Sequence, residues 1–242
     1  MRHYVFCGDT HNDLDFATKA AAIARQHGAE MVQLGDFGFL WPGNDQLDGL
    51  SDMLVSFGVT LRFVDGNHDD HPRLRKYVRA CEATPIAPNV IYQPRGSVHE
   101  DEDGTRFLFC GGAPSIDRAY RTKGLSWWPE EVITRAELDR ALSATGPIHV
   151  LVTHDAPGFP PGFSAKGSPA YRRAQDLSMK RIDALIRKHR PTLNAHGHWH
   201  HYYERQHEIG TRIVGLDCNN AFLEDAVLLW SREDKEQPCV PA

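Results

Sequence analysis

Short apolar runs in this 242-residue chain stop repeatedly at a small knot of Gly, Asp, Asn and His. His3 to Cys7 runs into Gly8-Asp9-Thr10-His11, Met31 to Leu34 into Gly35-Asp36, and Leu61 to Val64 into Gly66-Asn67-His68-Asp69. Ile148 to Thr153 runs into His154-Asp155. Each run has the length and apolarity of a buried strand. Between the first two, Ala17, Ala20, Ala21 and Ala24 recur at helical spacing before Gly28, which predicts a helix from Asp13 to His27; Asp45 to Phe57 predicts another. Alternating strands and helices build a parallel sheet with covering helices, an α/β fold. Ligands of such sheets gather outside the carboxyl ends of the strands. The four knots and His196-Gly197-His198-Trp199-His200 are therefore expected to converge on one site.

The rest of the chain fits the same class. Pro72 to Arg79 reads as a helix, Val90 to Tyr92 as a strand, and Ser97 to Phe109 as a hairpin turning at Asp103-Gly104, with Glu100 to Asp103 a solvated acidic turn. Thr134 to Leu142 reads as a helix, and Ile182, Leu185, Ile186 and His189 mark one face of a further helix that ends at Pro191. Ile213 to Leu216 and Ala226 to Trp230 supply closing strands. Two long loops remain, Gly111 to Pro129 with its pair Trp127-Trp128, and Ala156 to Pro169; long ordered loops are often functional. Nothing in the sequence marks a linker or a repeat, so a single domain over residues 1–242 is expected.

Composition narrows the function. No run approaches the roughly 18 apolar residues of a membrane helix. A net charge of -5 gives no global attraction to nucleic acid or to anionic lipid. Five cysteines form no CxxC pair, and an odd count argues against a secreted disulfide framework; buried thiols in a cytoplasmic protein are expected.

The polar knots bring carboxylates, imidazoles and one amide, with no thiolate except Cys7, set back within its strand. That donor mixture suits Mn, Fe or Zn rather than an iron–sulfur cluster. Asp9 and His11 are two residues apart, so extended backbone would point both at one ion. His196, His198 and His200 repeat that spacing and leave three candidates for two ligand positions. Glycine precedes Asp9, Asp36, Asn67 and His198, as suits tight turns close to a metal. A polar turn explains any one knot; five together point to a metal site. The remaining histidines, His3, His27, His71, His99, His149, His189, His201 and His207, read as surface or packing residues.

Taken in order, Asp-x-His, Gly-Asp, Gly-Asn-His-Asp, an isolated His and Gly-His-x-His resemble the calcineurin-like metallophosphoesterases, over residues 3 to about 217. The resemblance implies a four-layer α/β/β/α sandwich, two central mixed β-sheets flanked by helices. It implies two divalent metal ions, one held by Asp9, His11, Asp36 and His200, the other by Asp36, Asn67, His154 and His198, with Asp36 bridging and His196 outside. Manganese is the metal implied, with iron, zinc or nickel as alternatives. The implied activity is hydrolysis of phosphate mono- or diesters by in-line attack of a metal-bridging hydroxide. His68, between Asn67 and Asp69, is the candidate general acid, with Asp69 orienting it. No Gly-x-Ser-x-Gly elbow or P-loop competes.

The pattern departs from the family at one place. The second motif often continues to Asp-Arg, whereas this chain reads Asp36-Phe37-Gly38-Phe39-Leu40, so the subfamily stays open. Arg118, Arg121 and Lys123 are the candidates to hold phosphate oxygens instead. Trp127-Trp128 either stacks a nucleobase or anchors its loop in the core. The basic stretch Arg172 to Arg190 reads as a solvated helix face rather than a nucleic-acid surface. The expected partner is a phosphate-ester substrate, either a small molecule or a phosphoprotein; a nuclease or nucleotide phosphodiesterase of the same fold and a non-catalytic binding scaffold are the alternatives.

Overall fold

The alternation seen in the sequence becomes two sheets that share a core. The computed structural model describes residues 2–41, 43, 46–78 and 82–233. In chain order these form β1 (His3–Cys7), α1 (Leu14–His27), β2 (Glu30–Gln33), α2 (Leu47–Phe57), β3 (Leu61–Phe63), α3 (His71–Arg75), β4 (Thr84–Ala87) and β5 (Val90–Tyr92). There follow β6 (Ser97–Glu100), β7 (Arg106–Cys110), α4 (Arg135–Leu142), β8 (Val150–Thr153), α5 (Pro169–His189), β9 (Leu193–His196), β10 (Tyr203–Gln206), β11 (Arg212–Gly215), α6 (Leu223–Ala226) and β12 (Val227–Ser231). One mixed sheet runs β12-β1-β2-β3-β5-β4 and the other β10-β11-β9-β8-β7-β6. The central strands of each, β1-β2-β3-β5 and β7-β8-β9-β11, are parallel.

The two-residue period of the strands sorts side chains into layers. Tyr4 and Phe6 of β1 join Phe107 and Phe109 of β7, Val150 and Val152 of β8 and Trp230 of β12 in a core between the sheets. Val5 and Cys7 face the other way, onto the alanines of α1 and Leu50 and Leu54 of α2. Leu108, Cys110 and Leu151 face Leu138 and Ala141 of α4 and Ile182, Leu185 and Ile186 of α5. The result is the α/β/β/α sandwich. No helix among the described residues is long and apolar enough to cross a membrane.

Several expected boundaries move. The residues Asp45 and Arg79 that bound two of the expected helices fall outside the described residues; α2 begins at Leu47 and α3 ends at Arg75. α5 begins at Pro169, capped by Ser168, and the sequence pattern does not mark that start because the first two turns carry no apolar stripe like that of Ile182, Leu185 and Ile186. β9 is hidden in the sequence for the opposite reason: it is fully buried, but two of its four residues are the polar Asn194 and His196. The acidic turn is only partly solvated, since Asp101 is buried, accepts from the Tyr4 hydroxyl at 2.7 Å and pairs with Arg2 at 2.8 Å.

Candidate metal centre

All five polar knots arrive at the carboxyl ends of strands: Asp9 and His11 after β1, Asp36 after β2, Asn67 and His68 after β3, His154 after β8, and His198 and His200 after β9. Ligand atoms of Asp9, His11, Asp36 and His200 lie within 4.8 Å of one another. His200 Nε2 is 3.0 Å from Asp9 Oδ2 and 3.2 Å from His11 Nε2. On the other side of Asp36, His154 Nε2 is 3.3 Å from Asp36 Oδ1 and 3.2 Å from Asn67 Oδ1. The His198 ring lies beside His154, centroids 5.1 Å apart. Asp36 thus stands between two donor groups. The first opens to solvent, with the His200 side chain 46% exposed, while His154 in the second is wholly buried.

The turns that deliver these groups are strained. Asp36, His11, His198 and His200 have φ of 52°, 44°, 68° and 46°, in the left-handed region that costs a non-glycine residue roughly 1 kcal/mol. His11 therefore reaches Asp9 through a left-handed turn, not the extended backbone expected from their spacing. Such outliers cluster where function holds them. Two glycines are required by close approach: a Cβ on Gly66 would collide with the Asp36 carboxylate, and one on Gly197 with that of Asp9.

Charge in the site calls for cations. The hydrogen bond to Asp9, and then contact with Cys218, raise His200 to about 11. Burial disfavours charge on His154, yet Asp36 and Asp9 raise it to about 10. Burial likewise opposes charge on Asp36, but His154, His68 and His11 hold its carboxyl well below the usual range. Imidazolium protons neutralise buried carboxylates at positions where divalent ions would do so, and the oxygen and imidazole donors match borderline divalent metals.

Neighbouring groups fix the donors. His154 Nδ1 lies 2.7 Å from the Leu34 carbonyl, so it carries the proton and leaves Nε2 to face the centre. The Asn67 amide donates to Ser115 Oγ at 3.1 Å, which turns Oδ1 toward His154. Ser115 in turn donates to Glu131 at 2.8 Å and receives Arg121 Nη1 at 2.6 Å. Arg95, in a buried pair with Asp65, also donates to the Glu130 and Glu131 carbonyls and ties this loop to the end of β3. Ser115, Glu131, Asp65 and Arg95 carry no sequence motif, and only their placement reveals them.

The other expected residues are dispersed. Of the three loop cations, only Arg121 reaches the centre, at 3.3 Å from the Asn67 carbonyl. Arg118 stacks 4.0 Å over the Trp127 ring, and Lys123 is exposed. Trp127 and Trp128 are buried, Trp127 donating to Glu131 at 2.7 Å, which is the anchoring alternative. Where the family's Arg is missing, Phe37, Phe39 and Leu40 are core, with Phe37 stacked on Phe63 at 4.0 Å. His68 is half-buried, 5.9 Å edge-on from His11. Asp69 spends its carboxylate on the backbone amides of Gly66, Phe37 and Gly38, so its hydrogen bonds tie the Asp36 and Asn67 turns together and do not orient His68 as expected. His196 lies beneath the site, its Nε2 2.7 Å from the Tyr203 hydroxyl.

This chain belongs to the calcineurin-like phosphoesterase family, whose profile matches residues 2–202. Its fold is similar to that of the protein TT1561 of Thermus thermophilus, with a TM-score of 0.60 and 15% identity over 97% of this chain and 96% of that one. It is also similar to a dimetal phosphatase from Danio rerio, with a TM-score of 0.55 and 12% identity over 94% and 91% of the two chains. No curated protein matches.

Proposed function

We propose that the protein hydrolyses phosphate mono- or diesters with two divalent metal ions, one on Asp9, His11, Asp36 and His200, the other on Asp36, Asn67, His154 and His198. The carrying observation is the Asp36 carboxylate, which lies between two donor groups, each drawn from both sheets. The family assignment and the likeness to a dimetal phosphatase support the same reading. Ions held there would supply a water of lowered pKa and positive charge for the phosphoryl oxygens.

The chain's own groups do the rest. His11 and His200 line the open side, where an ester can enter. His68 protonates the departing alkoxide. Burial, with Arg121 and His11 against Asp36 and Asp117, holds it below its usual pKa, and a phosphoryl dianion alongside would favour its charged, proton-donating form. Arg121 holds the Asn67 turn rather than clamping the substrate. Manganese is the metal we favour, and the cytoplasm the compartment; among the described residues Cys7, Cys110 and Cys218 are buried free thiols, which supports that compartment. The core shared by both sheets supports reading residues 1–242 as one domain.

The test is elemental analysis, then turnover of p-nitrophenyl phosphate and bis-p-nitrophenyl phosphate with manganese and with chelator. Two metals per chain and chelator-sensitive hydrolysis are expected. A fully metallated protein inert on both esters and on nucleotides would instead be a binding scaffold.

A further inference from the structure

Beside the metal centre lies a cavity of about 220 Å³ walled by Ile116, Phe159, Phe163, Tyr171 and Trp199, and also lined by His198. Its position ties it to the reaction. The His198 ring stands between the two regions, 5.1 Å from His154 of the metal centre and 5.7 Å edge-on from Trp199 of the cavity. Its walls come from the two long loops, which meet where Ile116 approaches Gly167, from Tyr171 at the start of α5 and from Trp199 in the turn after β9. Ile116 and Phe163 are 58% and 38% exposed, apolar surface that a ligand would cover.

The walls are aromatic and held in place. Phe159 and Phe163 both stand edge-on to Trp199, at 5.8 and 5.2 Å. Trp199 Nε1 donates to Asp155 Oδ1 at 3.0 Å, Gln175 donates to Asp155 Oδ2 at 2.8 Å, and the Tyr171 hydroxyl donates to Gln175 at 2.9 Å. That chain occupies the Trp199 N–H, the Tyr171 proton and both ends of the Gln175 amide. The wall therefore offers faces and edges of rings but spends these hydrogen-bonding groups internally. The exposed Ser164, Lys166 and Arg172 also line the cavity, Arg172 donating to the Gly167 carbonyl at 3.1 Å, so the edge of a nucleobase would have to be read at that rim and not by the aromatic wall. An apolar cavity of roughly 150 Å³ accepts benzene, so this one has room for a substituted or fused ring.

The geometry points to this cavity as the seat of the substrate's alcohol group, and to an apolar aromatic ring as that group. The inference rests on the phosphoesterase reading and names its substrate class: aryl or arylmethyl phosphate esters, with the phosphate on the metal centre and the ring in the cavity against Ile116, Phe163 and Trp199.

Two measurements on the manganese-loaded protein test it. The first is calorimetric binding of the non-hydrolysable 1-naphthylmethylphosphonate and of methylphosphonate. The second is kcat/KM for 1-naphthylmethyl, benzyl and methyl phosphate, whose alcohols differ little in acidity. Naphthylmethylphosphonate is expected to bind at least about tenfold more tightly than methylphosphonate. Phe163→Ala should shrink that ratio about fivefold. Ile116→Ser, on the opposite loop, gives the same reading should Phe163→Ala fail to fold. Equal binding of the two phosphonates, or a ratio unmoved in both folded variants, overturns the proposal, as does tighter binding of adenosine 5′-monophosphate than of the naphthyl compound. Turnover reports separately: tight naphthyl binding with no hydrolysis of any ester keeps the cavity and sinks the phosphoesterase reading, whereas hydrolysis indifferent to the alcohol does the reverse.

Discussion

Asn67 has an amide with two ends, and its use depends on which end faces the metals. Ser115 accepts from the nitrogen, Glu131 and Arg121 hold Ser115, and the oxygen is left toward His154. Groups that orient ligands in this way typically contribute 10–100-fold to metal affinity. Ser115→Ala should therefore weaken binding of the second metal by about tenfold or more in a manganese titration while sparing the first; equal affinities would show that the amide orients itself. Asp36→Asn should cost more, because both donor groups use that carboxylate: we expect occupancy to fall at both sites by elemental analysis and kcat/KM to drop at least about 100-fold. His71 makes a prediction about stability. Burial pushes it down to about 4, aided by Arg95 and opposed by Asp65. In the unfolded chain a histidine titrates near 6.5, so above that value neither state binds the proton and stability is at its full level. As pH falls from 6.5 toward 4 the unfolded chain takes up a proton that the fold refuses, and stability is lost, by roughly 2 kcal/mol at pH 5. Urea unfolding of chelated protein at pH 7.5 and 5 should show that loss reduced in His71→Leu; identical losses in both proteins would assign it to other groups.

At the level of elements, what the sequence makes legible is what one local force dictates. β1, β7 and β8 are continuous apolar runs, α1 repeats alanine at helical spacing, and α4 carries a complete capping box between Thr134 and Glu137; all are visible in the chain. β9 buries Asn194 and His196 through hydrogen bonds to Leu151, Thr153 and Tyr203, partners distant enough in the chain that no local pattern reports them. The same division holds in the site. Its candidate ligands are brought together because each follows a strand end, where the fold class itself locates function. The role of Asp69 is not legible, because adjacency to His68 in the chain says nothing about which way a buried carboxylate turns. The turns themselves are testable. A methyl group on Gly197 must displace the Asp9 carboxylate, so Gly197→Ala should lower the urea midpoint by the equivalent of roughly 1–3 kcal/mol and release metal. A variant that kept both stability and stoichiometry would show that Asp9 has room to move.

For the molecule as a whole, the centre is also a joint. Asp9, His11, Asp36 and Asn67 leave one sheet and His154, His198 and His200 leave the other, so the ligands span the two halves of the sandwich at their carboxyl ends. The contacts between the candidate ligands across that seam are polar: His154 meets the Leu34 carbonyl, Asp36 and Asn67, the His198 amide donates to Asp9, and His200 meets Asp9 and His11. Apolar packing holds the sheets together deeper down, through Phe6, Phe109, Val152 and their neighbours. Removing the metals should therefore loosen one end of the sandwich without dissolving it. Binding to the native state alone stabilises by about 2.7 kcal/mol at a free concentration 100 times the Kd, and each site adds its own increment. Chelation is expected to lower Tm in proportion to the logarithm of the metal concentration removed, and to speed amide exchange in the turns after β1, β2, β8 and β9 while leaving the middle of β7 and β8 protected. Exchange that rose uniformly over both sheets would mean that the metals hold up the whole fold, and exchange that did not change would mean that the strained turns persist without them.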